Sequence, residues 1–570
     1  MQLTIDGNQT EIIAGESLLD IVRRLGLDSA DLKTRPLAAN IAGETFTLNY
    51  VPLREASSTA NQRVTLRRAM RAANGIVTLL RYDSARGNRV YERTMLFVFL
   101  LAMRKLYPKT RVRINYAVGA GLFASVGDGK KLSQQEVDRI KQTMREIVSA
   151  DQVLERKRVD IDDAIDFFSA DGQDDKVRLL NYRQFSFFDV YRIDDYVDYF
   201  YGEMAPSTGY VSVFDLQAQK GGLLLLRPAA DNPNKPAKHV SLPRLSGVFS
   251  ESEEWGKLMH CGVVADLNDM VLSGEVRTLI RVNEALHEKR FAQLADEIIE
   301  RGARAILIAG PSSSGKTTSA NRLCTQLRVH GKTPVLVSLD DYYLNRDQLK
   351  PGPDGKIDLE DIATIDVPQF QEDLSRLLRG EEVEIPRFDF IRQQRCDAGH
   401  RIRIDESTPL VIEGLHGLNP QLLPDLVDKS MIFRLYVSAL TTLNLDDHNR
   451  VPTTYLRLLR RMVRDHETRG ASVERTLSMW ESVRAGEERW IFPFQEDADA
   501  IFNTTLIYEP AVLKKHIFPL LAAVQPESAH YEEARSIVKF LNYFVEANVE
   551  DEIPPTSILR EFVGGNTFYR

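Results

Sequence analysis

At 570 residues, with 43% apolar and 27% charged side chains, the chain is too long for one core and too apolar for a disordered or fibrous protein. Three or so globular domains are expected. A net charge of -8 and a sequence pI near 5.8 exclude a globally basic nucleic-acid binder and leave any such role to a local patch.

In chain order, residues 1–62 open with strand-like alternation (LTI, EII), a helical segment ESLLDIVRRLGL and short apolar runs (LAANI, FTL), the pattern of a small β-grasp domain. A linker is expected at residues 57–61. Residues 63–230 mix helices (YERTMLFVFLLAMRKLY, SQQEVDRIKQTMREIVSAD) with strands (GYVSVFDL, GGLLLLRP), an α+β arrangement. Residues 231–295 are expected as a linker, AADNPNKPAKH and beyond, followed by a connecting helix, EVRTLIRVNEALHEKRFAQLADEIIERG. Residues 296–570 form the last domain, an α/β fold with a parallel sheet wrapped by helices and a C-terminal helical extension. Cys261, Cys324 and Cys396 are too few and too scattered for a disulfide framework or a CxxC metal site. The beginning, MQLTIDGNQT, has no basic and apolar leader. The longest apolar run, residues 95–103, is about half of the roughly 20 residues that cross a bilayer. The expectation is a cytoplasmic protein without membrane contact.

Residues 310–318, GPSSSGKTT, follow the apolar run AILIA and precede the helical SANRLCTQLRVHG. This is the order and spacing of a phosphate-binding loop. Gly310 and Gly315 accept backbone angles that let the N–H groups around Ser312, Ser313, Ser314 and Thr318 converge on an anion, at the positive end of the following helix. In that geometry Lys316 can reach the β- and γ-phosphate oxygens of a nucleotide, and the Thr317 hydroxyl can ligate Mg2+; phosphate binding alone does not choose between a kinase, a GTPase and an ATP-driven machine. The plainer reading is a Gly/Ser turn between any strand and any helix.

Two further strands end in acid. TPVLVSLDDYY carries Asp340 and Asp341, and PLVIEGLHGL carries Glu413. Ligands of open α/β sheets gather at strand carboxyl ends. There Asp340 can take a proton from a substrate hydroxyl and Glu413 can hold magnesium or its water shell. Against these stand a turn-capping aspartate and a solvent-facing glutamate. Within TTYLRLLRRMVRDHETRG, Arg457, Arg460, Arg461 and Arg464 lie on one helix face. The stripe suits an anion-binding lid, or a face paired with acids such as Asp465 and Glu467.

Together GPSSSGKTT, SLDDYY, IPRFDF, VIEG and RLLRRMVRDHETRG resemble, in order, the uridine kinase and phosphoribulokinase family of P-loop kinases over roughly residues 300–510. The resemblance implies Asp340 as general base on a nucleoside 5′-hydroxyl and Arg461, Arg464 and Arg469 as lid groups on the transferring phosphoryl. It implies substrate contacts from Tyr343, Asp358, Phe388 and Phe390, and Thr317, Asp340 and Glu413 around the metal. Phe388 and Gln393 stand where uridine and cytidine kinases have a base-reading tyrosine and histidine, and Ala471 and Met479 replace a lid arginine and glutamine. The ribose-gripping acid falls among Asp358, Glu360 and Asp361. The insertion ALTTLNLDDHNRVPTT has no counterpart in short uridine kinases; its DDHNR reads as a capped turn or an ionic hinge.

Residues 1–60 resemble a TGS domain, and residues 91–151 resemble the second additional domain of threonyl- and alanyl-tRNA synthetases, with Arg93 and Phe97 at the positions of that domain's HxxxH pair. Loss of both imidazoles predicts no editing hydrolysis. His260 beside Cys261, and Trp480 and Trp490, read as packed side chains. The expected function is transfer of the γ-phosphoryl of ATP to the 5′-hydroxyl of uridine or a related nucleoside. The alternatives are a kinase of another small hydroxyl compound, such as a sugar phosphate or vitamin precursor, or an RNA-binding regulatory ATPase. Expected partners are a nucleoside-like molecule and, for the N-terminal half, RNA or a second copy of the chain.

Overall fold

The computed structural model describes residues 2–52, 75–127, 129–183, 186–351, 357–389, 392–396, 399–423 and 428–568. The expected linker at 57–61 and the expected substrate contact Phe390 lie outside them. The chain divides into two compact units, one of residues 1–241 with 444–450, the other of 242–443 with 451–570.

In the first unit, strands β1 (Gln2–Ile5), β2 (Asn8–Glu11), β3 (Ala38–Ile41), β4 (Glu44–Phe46) and β5 (Ile76–Leu80) form a sheet in the order β2-β1-β5-β3-β4. Helix Leu18–Arg24 covers it with Leu18, Leu19, Ile21 and Val22, starting at a capping box in which Ser17 Oγ accepts from Asp20 N–H at 3.1 Å and Asp20 accepts from Ser17 N–H at 2.9 Å. The central strand of this sheet comes from beyond residue 62, so the small fold closes later than expected. Its register explains why: β5 pairs parallel to β1 and antiparallel to β3, burying Val77, Leu79 and Leu80.

Beyond helix Ala85–Leu106, β6 (Val112–Val118) and β7 (Gly121–Val126) form a hairpin ahead of helix Gln134–Ser149. The strands β8 (Glu155–Asp160), β9 (Phe187–Ile193) and β10 (Tyr196–Asp198) make an antiparallel sheet over a small aromatic cluster of Phe168, Phe188 and Tyr199. The strands β11 (Asp215–Gln219) and β12 (Gly222–Leu226) then join the hairpin in the order β11-β12-β7-β6. GYVSVFDL is strand only from Asp215 on; residues Thr208–Tyr210 form a 3-10 turn. One hydrophobic core runs from Leu3 to Leu225, so residues 1–62 and much of 63–230 share their apolar interior. Phe97 packs edge-on to Tyr196 and Phe200, and Arg93 donates to the Glu203 carbonyl at 3.2 Å.

Residues 444–450 are also part of this unit. DDHNR is both a turn and an ionic cluster: Asp446 accepts from His448 N–H at 2.9 Å and Asn449 N–H at 3.0 Å. The fully buried Lys176 lies 3.2 Å from Asp198, 3.7 Å from Asp446 and 2.7 Å from His448 Nδ1.

The second unit begins with helices Pro243–Leu258, Val264–Ser273 and Val276–Arg301. The segment expected as linker and connector is therefore largely part of this unit, held by polar bonds: Asn268 Nδ2 donates to the Tyr543 carbonyl and Asn283 Oδ1 accepts from Ile507 N–H, each at 2.8 Å. A parallel sheet follows, built from β13 (Ala305–Ala309), β14 (Val335–Ser338), β19 (Leu410–Glu413), β20 (Ile432–Ser438) and β21 (Ala500–Asn503) in the order β14-β19-β13-β20-β21. Short pairs β15 (Val383–Ile385) with β18 (His400–Ile402), and β16 (Phe388–Asp389) with β17 (Gln394–Arg395), lie between β14 and β19 in the chain. All five residues of β13 are buried, as a strand covered on both faces requires. No helix among the described residues is long and apolar enough to cross a membrane.

Candidate active site

The site lies at the carboxyl ends of β13, β14 and β19. The chain leaves β13 at Gly310, where a Cβ would stand 2.0 Å from the Val437 carbonyl oxygen, so only glycine fits the close approach. Gly315 takes φ 86 and caps helix Lys316–Val329 without a side chain to offer. The cap therefore leaves the first N–H groups of that helix to acceptors from outside the helix, and Thr318 N–H meets Glu561 Oε2 at 3.3 Å. Ser313 also has positive φ, 59°, and the buried hydroxyls of Ser313 and Ser314 have no hydrogen-bond partner. A left-handed serine and two unsatisfied hydroxyls within one loop fit an anion that would satisfy them. The expected strand, loop and helix are present in that order.

The acidic residues converge on the same corner. Parallel register sets Ser338 opposite Glu413, and the Ser338 hydroxyl donates to Glu413 Oε1 at 3.1 Å while the Thr317 hydroxyl lies 3.4 Å from the same oxygen. Asp340 sits just past β14, in the turn Leu339–Tyr342, with its N–H on Ser338 Oγ. Burial raises the Asp340 pKa, Asp341 adds to it, and Lys316, Arg469 and Arg464 oppose it. Burial and the neighbouring Asp340 likewise raise Glu413. Two crowded carboxylates and a hydroxyl are a hard-oxygen set suited to magnesium. Among the described residues no group of three His, Cys, Asp or Glu could hold a metal by itself, so water and phosphate oxygens would have to complete its shell.

The arginine stripe divides. Arg457 is buried, donates to the Ser312 carbonyl at 3.1 Å and forms a bidentate pair with Glu487. Arg460 is buried, bonds both Glu509 oxygens at 2.6 and 2.9 Å and reaches the Thr504 carbonyl at 2.8 Å. These two pairs brace the loop, which is the acid-paired alternative. By contrast Arg461, Arg464 and Arg469 all lean on Asp465, at 3.3, 2.9 and 3.5 Å, and Arg461 also donates to Ser312 Oγ at 2.8 Å. Three guanidiniums thus share one carboxylate at ion-pair distance, with Glu360 and Glu487 also acting on Arg461 and Asp340 on Arg469.

On the acceptor side Asp341 holds the Phe388 N–H at 3.2 Å, and the Phe388 and Tyr343 rings are 5.7 Å apart. Gln393 is exposed and accepts from Arg346 at 2.9 Å. The three candidate ribose acids differ in use. Asp361 caps a turn at Ala363 N–H, and Asp358 accepts from Glu360 N–H and pairs with Arg489 at 3.2 Å. Glu360 faces Arg461, Glu487 and Lys316, and burial pushes its pKa up to about 7. Glu487, Glu509, Thr504 and Glu561 were not expected at the site. They enter from residues far along the chain, with no local motif to mark them.

Residues 305–507 match the Phosphoribulokinase / Uridine kinase family. The chain is 30% identical to a uridine kinase of Lactobacillus johnsonii over 195 residues, 34% of this chain and 83% of that enzyme. It is 25% identical to a threonine–tRNA ligase of Geobacter sp. over 216 residues, 38% of this chain, and spans only 30% of the ligase's length. Among solved structures, D-glycerate 3-kinase from Cryptococcus neoformans aligns at 16% identity and a TM-score of 0.22, covering 46% of this chain and 89% of that one. A P-loop kinase domain is thus fused to an N-terminal region weakly similar to threonine–tRNA ligases, and the chain belongs to the phosphoribulokinase/uridine kinase family.

Proposed function

We propose that the protein is an ATP-dependent phosphotransferase whose acceptor is a hydroxyl of a small organic molecule. The observation that carries this reading is Asp340, a carboxylate of raised pKa at a strand end, within the field of Lys316 and beside Glu413. A raised pKa makes Asp340 a stronger base toward an alcohol. The loop amides and Lys316 would hold the nucleotide tail; Thr317 and Glu413, with Asp340 nearby, would hold Mg2+, which supplies charge neutralisation between phosphates. The acceptor oxygen attacks the γ-phosphorus, its proton passes to Asp340, the bond from the γ-phosphorus to the bridging oxygen breaks, and ADP departs. Arg461, Arg464 and Arg469 offset the negative charge on the moving group.

For the acceptor, a hydroxyl compound other than a pyrimidine nucleoside is favoured. Phe388 offers no polar atom for reading a base, and Gln393 is engaged by Arg346 on an exposed surface. Uridine or a related nucleoside is the second reading, favoured by the Tyr343–Phe388 ring pair and by the L. johnsonii relative. The test is ADP release over a panel of nucleosides, sugar phosphates and vitamin alcohols, each with and without structured RNA. Dependence on one small alcohol supports the reading and selects the acceptor. Release stimulated by RNA alone would replace it with a regulatory ATPase that uses the N-terminal half.

A further inference from the structure

The C-terminal segment lies outside the family match, which ends at residue 507, yet it reaches the phosphate loop. Thr318, fully buried at the start of helix Lys316–Val329, donates its N–H to Glu561 Oε2 at 3.3 Å and its hydroxyl to the same oxygen at 2.7 Å. Asn566 Nδ2 donates to that hydroxyl at 3.3 Å. Ile558 is buried against Gly315, where an added Cβ would fall 2.6 Å from its methyl, and Phe562 is buried beneath the Arg460 guanidinium at 5.2 Å. Residues 558–566 therefore form a strap anchored by three buried apolar side chains, Ile558, Leu559 and Phe562, with one carboxylate placed on a first-turn N–H of the loop's helix.

In a phosphate-binding loop these N–H groups cradle the α- and β-phosphates. We infer that Glu561 is an intramolecular competitor for the nucleotide, so that ATP enters as the strap's carboxylate leaves. This rests on the reading of residues 310–318 as a nucleotide site. One N–H cannot serve a carboxylate and a phosphate oxygen together, and two anions at hydrogen-bond distance in a buried corner repel strongly.

A comparison with Glu487 separates a competitor from a fixed brace. Glu487 also accepts from a loop N–H, that of Ser312 at 3.2 Å, but it is clamped by Arg457 and by Arg484 at 2.9 Å. Glu561 has no cationic partner within ion-pair distance among the described residues, and its charge adds to the repulsion already felt by Glu413. Its hold is two hydrogen bonds from one threonine, a grip that a multiply charged phosphate with magnesium can outbid. The loop thus carries one permanent carboxylate and one removable one.

The experiment measures ATP affinity by calorimetry, with Mg2+, for the full chain and for Glu561→Gln and Glu561→Ala, alongside hydrogen exchange of the unaltered protein with and without ATP. Loss of a charge-assisted competitor is expected to tighten ATP about tenfold in both variants. In the unaltered protein, exchange over residues 558–566 should rise when ATP binds. Equal affinity in all three proteins, or unchanged protection of the strap with ATP bound, overturns the inference while leaving the nucleotide site standing. If the folded chain and both variants bind no ATP, the reading of the loop fails and the inference falls with it. The exchange measurement decides the matter even if a variant does not fold.

Discussion

Two buried charge clusters, one in each unit, use the same kinds of side chain to opposite ends. In the first unit Lys176 meets Asp198 and Asp446, with His448 and Tyr199 completing the contacts. Burial alone would raise Asp198, but Lys176 and His448 outweigh it and hold its carboxyl well below the usual range. Burial alone would lower Lys176, and the surrounding carboxylates reverse that too. In the second unit, burial dominates at Asp340, Glu413 and Glu360, and Lys316 with the arginines does not bring any of them back to normal. In the first cluster Asp198 is satisfied within the fold, while burial and Asp175 still raise Asp446 against Lys176 and His448. The second keeps its acids underneutralised, the condition in which a cation or a substrate proton has something to do.

The largest effect that would sharpen this contrast is on turnover: Asp340→Asn should lower it about 10²–10⁴-fold, the usual contribution of a positioned base, while ATP affinity by calorimetry stays nearly unchanged. Next comes stability in the first unit. Lys176→Met leaves two buried carboxylates without their cation and should cost about 3–5 kcal/mol, read from calorimetric unfolding; a loss of a few tenths would mean that Lys176 does not hold Asp198 and Asp446.

A smaller effect is the pH dependence of the second unit without ligand. Glu360 is raised from its ordinary 4.5 to about 7, so the folded state binds the proton more tightly than the unfolded one. Stability is then highest below about pH 4.5 on this group's account and is lost as pH rises through about 7, by at most about 1.4 kcal/mol per pH unit. Glu360→Gln should flatten that part of the profile; an unaltered slope would assign it to other groups. The smallest effect is expected at the exposed Arg489–Asp358 pair, 61% and 36% accessible, where Arg489→Ala should change stability by less than about 0.5 kcal/mol in the same unfolding experiment.

What the sequence made legible follows from how local each signal is. The phosphate loop, β13 before it and the acids ending β14 and β19 are written in contiguous residues, since hydrophobic run, glycine spacing and terminal carboxylate all fall within a few positions. The long helices were legible for the same reason: Ala85–Leu106 by the length of its continuous apolar segment, and Thr453–Arg469 by leucines and a valine recurring on one face. Partnerships across the chain were not. Arg457 and Arg460 look alike on a helix face until Glu487 and Glu509 arrive from 30 and 49 residues away. Glu561 stands 243 residues from Thr318. The insertion at DDHNR could be read as a turn, but nothing within it announces Lys176, 272 residues earlier, as its neighbour. The first sheet likewise needed Ile76–Leu80, separated from β4 by a stretch without strand alternation.

The fate of the γ-phosphoryl group tests the account most directly. With ATP, Mg2+ and the best acceptor of the panel, phosphorus NMR should show a new phosphomonoester appearing in step with ADP. Inorganic phosphate as the sole product, formed at the same rate with or without an organic hydroxyl, would contradict it.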